Sequence, residues 1–395
     1  MQGMEDRIAP PQHFATSLDE AHALAARKYG ADDFGSGDYL AGLRVLLLSM
    51  DYDPHFTPRG RAIAWGSIMD TLAARAFAVR AMKQTPGFDS HAIAAPIVIT
   101  GMPRTGTTAL HKLMAIDPQF QGLQGWLMTA PMPRPPRASW EGNPLFLEAV
   151  ERLEIRFAAM PGRRAAHDMA AEEVDECLGI LRQGFVSNLW CCGWSAPSYD
   201  IWWQTQDELP SYRWLHRVYQ LIGAHEPDKI WLLKNPGHVD NLDSLFTVFP
   251  DAKVIQTHRD PARAVPSLCS LLMKNHRVME DGPDDVRARL MCVRETEKWA
   301  GAIRRAEPVR QAHAGQILDV VHRDFHAAPM ATIERIYAFA GLKLTPQVRA
   351  AMEARIAQAP ETSHGEHRYA IADYGMTEDA IRERFGNYVE RFDLA

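Results

Sequence analysis

The chain has 395 residues, 46% of them hydrophobic and 23% charged, with a formal net charge of −6. Those values fit a globular protein with a sizeable core and exclude the basic footprint of a general nucleic-acid binder. The opening "MQGMEDRIAPPQ" lacks the apolar heart of an export signal, and no uninterrupted apolar run reaches membrane-span length, so a cytoplasmic protein is expected.

Residues 1–94 read as a helical extension. "SLDEAHALAARKYG" predicts a helix starting after Ser17 and stopping at Gly30, and another runs through "AIAWGSIMDTLAARAFAVRAMKQ" to Pro86 and Gly87. No catalytic constellation is visible there; packing or contacts in a homo-oligomer are the expected roles. From Ala95 the pattern becomes strand, turn and helix. Short apolar runs at "IVIT", "IWLLK" (Ile230–Lys234), "AKVIQTH" (Ala252–His258) and "QILDVVH" (Gln316–His322) predict buried strands, each followed by helical sequence. This alternation predicts one α/β domain over 95–395 with a central, mostly parallel sheet.

The first run opens "IVITGMPRTGTTALHKL". Gly101, Gly106 and Thr108 fit the phosphate-loop template G-x-x-x-x-G-K-[ST], but the lysine position holds Thr107. A glycine turn can still bring backbone N–H groups to an anion, and the helix behind it adds its positive end. Arg104 supplies a cation within the loop, and Thr105, Thr107 and Thr108 supply hydroxyls. Without the lysine, a nucleotide lacking a γ-phosphate is the expected ligand. The bland alternative is a turn before a helix, with Gly and Thr there for geometry.

"PMPRPPRAS" (131–139) reads as a loop. In "HDMAAEEVDECLGIL" the apolar spacing predicts a helix carrying Glu172, Glu173, Asp175 and Glu176, either a solvated acidic face or a source of a general base; His167 lies just before it. Between Trp190 and Trp214 stand five of the ten tryptophans (Trp190, Trp194, Trp202, Trp203, Trp214), with Tyr199 and Tyr212 among them. Such a stretch suits either the wall of an acceptor pocket or a packed core.

Lys234 ends a predicted strand, where parallel sheets gather active-site groups, unless it merely surfaces from the core. His238 follows at a helix start; it is either a proton acceptor or a backbone partner. In "THRDPARAVPS", Asp260 caps a helix with Pro261 at its first position. Arg259 precedes Ser267 by eight residues, so an arginine, a hydroxyl and a helix start can meet on one phosphate. His322 and His326 are four apart, but Pro329 argues against the helix a metal pair needs. The five cysteines (Cys177, Cys191, Cys192, Cys269, Cys292) show no C-x-x-C spacing, so free thiols are expected, and no metal-ligand cluster stands out.

Taken together, "GMPRTGTT", "WLLKNPGHVDNLDSLFTVFPDAKVIQTHRDP" and "HRDPARAVPS" resemble the paired signatures of bacterial-type sulfotransferases that use 3′-phosphoadenosine 5′-phosphosulfate (PAPS). The tail "HRYAIADYGMTEDAIRERFGNYVERF" is similar to that family's closing segment. The resemblance implies a P-loop NTPase-like three-layer α/β fold and transfer of a sulfuryl group to an acceptor alcohol without a metal. It implies that Arg104, Thr105, Gly106, Thr107 and Thr108 cradle the 5′-phosphosulfate, that Arg259 and Ser267 hold the 3′-phosphate, and that Arg368 joins the nucleotide site. It gives Lys234 the transferring group, with Arg104 assisting, and leaves the base open between His238 and a carboxylate such as Glu172 or Glu176. The better-known cytosolic sulfotransferases carry Lys where this chain has Arg104. A phosphate-loop kinase or a non-catalytic nucleotide binder is the alternative.

Overall fold

A computed structural model describes residues 9–159, 170–358 and 371–395. Five strands form one sheet: β1 (Ile97–Gly101), β2 (Phe120–Gln121), β3 (Ile230–Lys234), β4 (Lys253–His258) and β5 (Ile317–Val321). Their order is β2-β3-β1-β4-β5 and every pairing is parallel. Four of the strands coincide with the apolar runs of the sequence. The fifth, β2, is only two residues long.

Successive side chains of a strand point to opposite faces. Val98, Leu233 and Val254 therefore enter one core, packed under the helices Leu209–Ile222, Pro261–Met279 and Asp284–Ala312. Ile97, Ile99, Leu232, Ile255 and Val320 enter the other, with Leu110, Leu113, Ile333 and Ile336. Helices on both faces of a parallel sheet give the three-layer α/β architecture.

The N-terminal part folds into helices Leu18–Tyr29, Leu40–Tyr52 and Pro58–Gln84. Thr57 caps the longest of them, its hydroxyl accepting from the Gly60 N–H at 2.8 Å, with Pro58 at the first helical position. These helices share a core with the aromatic stretch: Leu43, Leu46, Trp65 and Ile68 pack with Phe185, Trp190, Trp194, Tyr199 and Trp203. Arg75 pins the junction, buried between the Tyr39 and Trp214 rings (4.4 and 4.3 Å) and donating to the Phe34 and Gln183 carbonyls. Although no uninterrupted apolar run is that long, Pro58–Gln84 is long and apolar enough to cross a membrane; most of it is buried inside this fold, as in the core helix of a globular protein.

The C-terminal segment fastens onto the end of β4. His258 stacks on Phe392 with ring centres 3.8 Å apart and shares hydrogen bonds with the Tyr388 hydroxyl (3.0 Å) and Asp319 (2.8 Å).

Candidate active site

The carboxyl ends of β3, β1, β4 and β5 lie side by side, with Ile99 in register with Lys234 and Ile255, and His258 with Val321. Open parallel sheets gather their ligands along this edge. The turn after β1 presses against β4, where a Cβ on Gly101 (φ +137°) would fall 2.4 Å from the Thr257 carbonyl oxygen. Gly106, at φ +94°, starts the helix Thr107–Met114. Between them Arg104 holds a left-handed backbone (φ +70°), unusual for a residue with a side chain. Arg259 holds the turn in this shape by donating from Nη1 to the Arg104 carbonyl oxygen at 3.0 Å.

The loop threonines divide their work. Thr105 is buried, and its hydroxyl donates inward to the Met102 carbonyl (2.7 Å) and lies 2.5 Å from the Thr257 hydroxyl. That side chain knits the loop to β4. Thr107 is buried and Thr108 half-buried in the first helical turn.

At the end of β4, Asp260 accepts from the Ala262 N–H at 3.0 Å and starts the helix Pro261–Met279, as its sequence predicts. Arg382, which nothing in the sequence singled out, grips the same carboxylate from the C-terminal helix Glu378–Arg384, at 3.2 and 2.6 Å. The two stretches that the sequence predicts to bind anions meet directly, because Arg104 Nε donates to the Ser267 hydroxyl at 3.1 Å. Arg104, Arg259 and Ser267 thus form one group. Arg263 is exposed and lies 3.5 Å from Glu378. Arg368 and His167 lie outside the described residues.

On the other side of β1, Lys234 is buried at the end of β3. Its Nζ donates to Glu176 Oε1 at 2.6 Å and lies 3.4 Å from the Thr108 hydroxyl, so lysine, carboxylate and loop converge. The acidic stretch is not the helix its periodicity predicts. Residues 170–177 are irregular because their backbone groups pair elsewhere: the Asp175 N–H donates to the Leu123 carbonyl and the Cys177 N–H to that of Lys234. Among the described residues of this stretch, helix forms at Leu178–Leu181. Glu172 is exposed, and Glu173 pairs with Lys112 at 2.6 Å.

His238 sits in the short 3₁₀ helix Pro236–Asn241 and is completely buried, with Nδ1 2.7 Å from the Tyr212 hydroxyl. Burial, with the Lys234 charge adding to it, pushes its pKa down to about 3. The ring is therefore neutral in the fold, whereas an unfolded histidine takes up its proton near pH 6.5. Its contribution to stability is complete above about pH 6.5 and is lost as the pH falls toward 3. Truncating a buried ring and orphaning the Tyr212 hydroxyl costs about 2–4 kcal/mol, so His238→Ala should lower the melting temperature by several degrees. Glu176→Gln leaves the buried Lys234 ammonium with a neutral acceptor in place of its counter-charge and should also lower it; thermal unfolding of both variants checks this pair of outcomes.

One further expectation is corrected, and one pair of alternatives is decided. His322 and His326 do occupy a helix, His322–Ala327, which ends before Pro329, and their rings lie 4.1 Å apart. The pair is beside the loop, since a Cβ on Gly106 would come within 3.3 Å of His322 Cδ2. The aromatic stretch, in turn, is core. Trp190, Trp194, Trp203, Trp214, Tyr199 and Tyr212 are buried, and only Trp202 of the set is half-buried, because the N-terminal helices cover the stretch. All five cysteines are free thiols.

The profile of the family described as "Sulfotransferase family" matches residues 96–346. Two solved structures are similar to the whole chain. Sulfotransferase STF1 from Mycobacterium tuberculosis H37Rv is 36% identical, with 95% of this chain and all of that one covered and a TM-score of 0.85. Sulfotransferase STF9 from Mycobacterium avium is 25% identical, with 99% and 98% covered and a TM-score of 0.87. Among curated proteins, omega-hydroxy-beta-dihydromenaquinone-9 sulfotransferase Stf3 of Mycobacterium bovis is 26% identical over 264 residues, 62% of this chain. The match spans 63% of that relative's own length. With a phosphate-type loop, an arginine–serine group beside it and a strand-end lysine on one sheet edge, and the family profile spanning all three, the chain belongs to the sulfotransferase family.

Proposed function

We propose that this sulfotransferase takes its sulfuryl group from PAPS and passes it to a hydroxyl of an apolar, lipid-like or ring-bearing acceptor. The observation that carries the donor assignment is the contact between Arg104 and Ser267, with Arg259 bonded to the same loop residue. Two guanidinium groups, a hydroxyl and a helix start within one group suit a nucleotide with phosphate at two positions. The loop N–H groups and Thr108 take the 5′ end; Arg259 and Ser267 take the 3′-phosphate. Arg104, in contact with Ser267, stands between them.

Sulfuryl transfer is an in-line displacement with the same demands as phosphoryl transfer. The acceptor oxygen forms a bond to sulfur as the bond from sulfur to the bridging oxygen breaks. Lys234 neutralises the charge that grows on the departing oxygen. Glu176, 2.6 Å from Lys234 and partly open to solvent, accepts the proton of the acceptor hydroxyl. We assign the base to Glu176 over His238 because His238 has no surface to offer a substrate. Support for a lipid-like acceptor comes from the relative named for omega-hydroxy-beta-dihydromenaquinone-9.

Calorimetric titration with 3′-phosphoadenosine 5′-phosphate, the product nucleotide, tests the donor assignment. Tight binding is expected, with little heat from ATP–magnesium, since Thr107 replaces the lysine that serves a γ-phosphate. The reverse order of affinities overturns it.

A further inference from the structure

We propose that His322 and His326 form a third face of the nucleotide site and contact the bound anion from the end of β5, beside Gly106. The inference rests on the PAPS reading above and adds two residues to it. His258 is in register with Val321, so the residues that follow them, Arg259 and His322, leave neighbouring parallel strands side by side. The helix His322–Ala327 then turns the two imidazoles toward the loop. A Cβ on Gly106 would meet His322 Cδ2 at 3.3 Å and His326 Nε2 at 3.7 Å. The first distance is tight and the second an ordinary contact, so both rings lie against the start of the loop helix, where anions bind. Both histidines are only partly buried, which leaves them within reach of a ligand.

Their electrostatic setting fits that role. The charged or titratable groups acting on His322 are Arg259 at the exit of β4, Arg104 in the loop and His326 on its own helix, all cationic when charged. Together with burial, the largest influence, they push His322 down to about 3, so the free site holds a neutral ring among cations. A phosphate arriving at Arg259 and Arg104 reverses that balance. It attracts a proton onto the imidazole, which then donates a charge-assisted hydrogen bond. The sign follows: anion binding raises the histidine pKa, binding takes up protons, and affinity increases as the pH falls from 8 to 6.

The test is calorimetry of the full chain with 3′-phosphoadenosine 5′-phosphate at pH 6, 7 and 8, in buffers of different ionisation heat. The variant is His322→Asn/His326→Asn, which keeps polar side chains but removes the titrating rings. The ligand's own phosphate titration is common to both proteins and cancels in the comparison. Wild type should take up more protons than the variant and bind about tenfold tighter at pH 6, the gap closing by pH 8. Melting temperatures without ligand check that the variant is folded; if it is not, the single His326→Asn variant carries the comparison. Equal affinity and equal proton uptake in the two proteins overturn the inference and leave the PAPS reading standing. No binding by wild type at any pH removes both.

Discussion

Lys234→Met should lower turnover by about 10²–10³-fold while changing the affinity for 3′-phosphoadenosine 5′-phosphate by less than about tenfold. Methionine keeps the length and apolar stem of the buried side chain, so the end of β3 has no cavity to collapse into. What disappears is the charge next to Thr108 and Glu176. A cation that neutralises the departing oxygen contributes more in the transition state than in the ground state, so the loss falls on kcat. The substitution also releases Glu176 from its partner at 2.6 Å. Lys234 and Glu176 therefore act as a unit, and the double variant Lys234→Met/Glu176→Gln should be little worse than the poorer single one. Sulfate-labelled donor with a panel of long-chain alcohols gives the readout. A Lys234→Met enzyme working at wild-type rate would remove this lysine from the reaction.

The unequal legibility of this site has physical causes. β1, β3 and β4 are buried along nearly their whole length, which is why they stand out as short, mostly apolar runs; β5 shows such a run although it lies at the sheet edge with only Val320 buried. The cap at Asp260 and the proline after it mark the start of the helix that carries Ser267, a purely local signal. Two-residue β2 has no room for a pattern. The segment around Glu176 shows helical spacing, yet its N–H groups pair with Leu123 and Lys234, partners 52 and 57 positions away for Asp175 and Cys177 (175 − 123 and 234 − 177). Nothing local announces that competition. The tryptophans suit a pocket wall and a core equally well, and only the packing of the N-terminal helices decides between them. Arg382 has the same kind of invisibility: it acts by gripping Asp260, 122 residues earlier in the chain. The pair His322 and His326 is legible as a spacing. Its place beside Gly106 depends on the register of β4 and β5.

Arg259→Ala should weaken 3′-phosphoadenosine 5′-phosphate by about 10²-fold and adenosine 5′-phosphate, which lacks the 3′-phosphate, by much less. A charge-assisted hydrogen bond to phosphate is worth about 1.5–3 kcal/mol, and a guanidinium can make two. The substitution has a second effect that separates the two ligands. Arg259 also donates to the Arg104 carbonyl and holds that residue at φ +70°. Loss of this bond relaxes the loop around the 5′ end, which weakens both nucleotides alike. The difference between the two affinity losses therefore isolates the 3′-phosphate contact from the loop effect. Salt gives an independent handle, because a contact between a guanidinium and phosphate is screened and the wild-type preference should shrink as ionic strength rises. Arg259→Lys keeps the charge but not the fork, and should recover only part of the preference. If both nucleotides lose affinity by the same factor in Arg259→Ala, Arg259 serves the loop alone, and the 3′-phosphate must be held by other groups of the site.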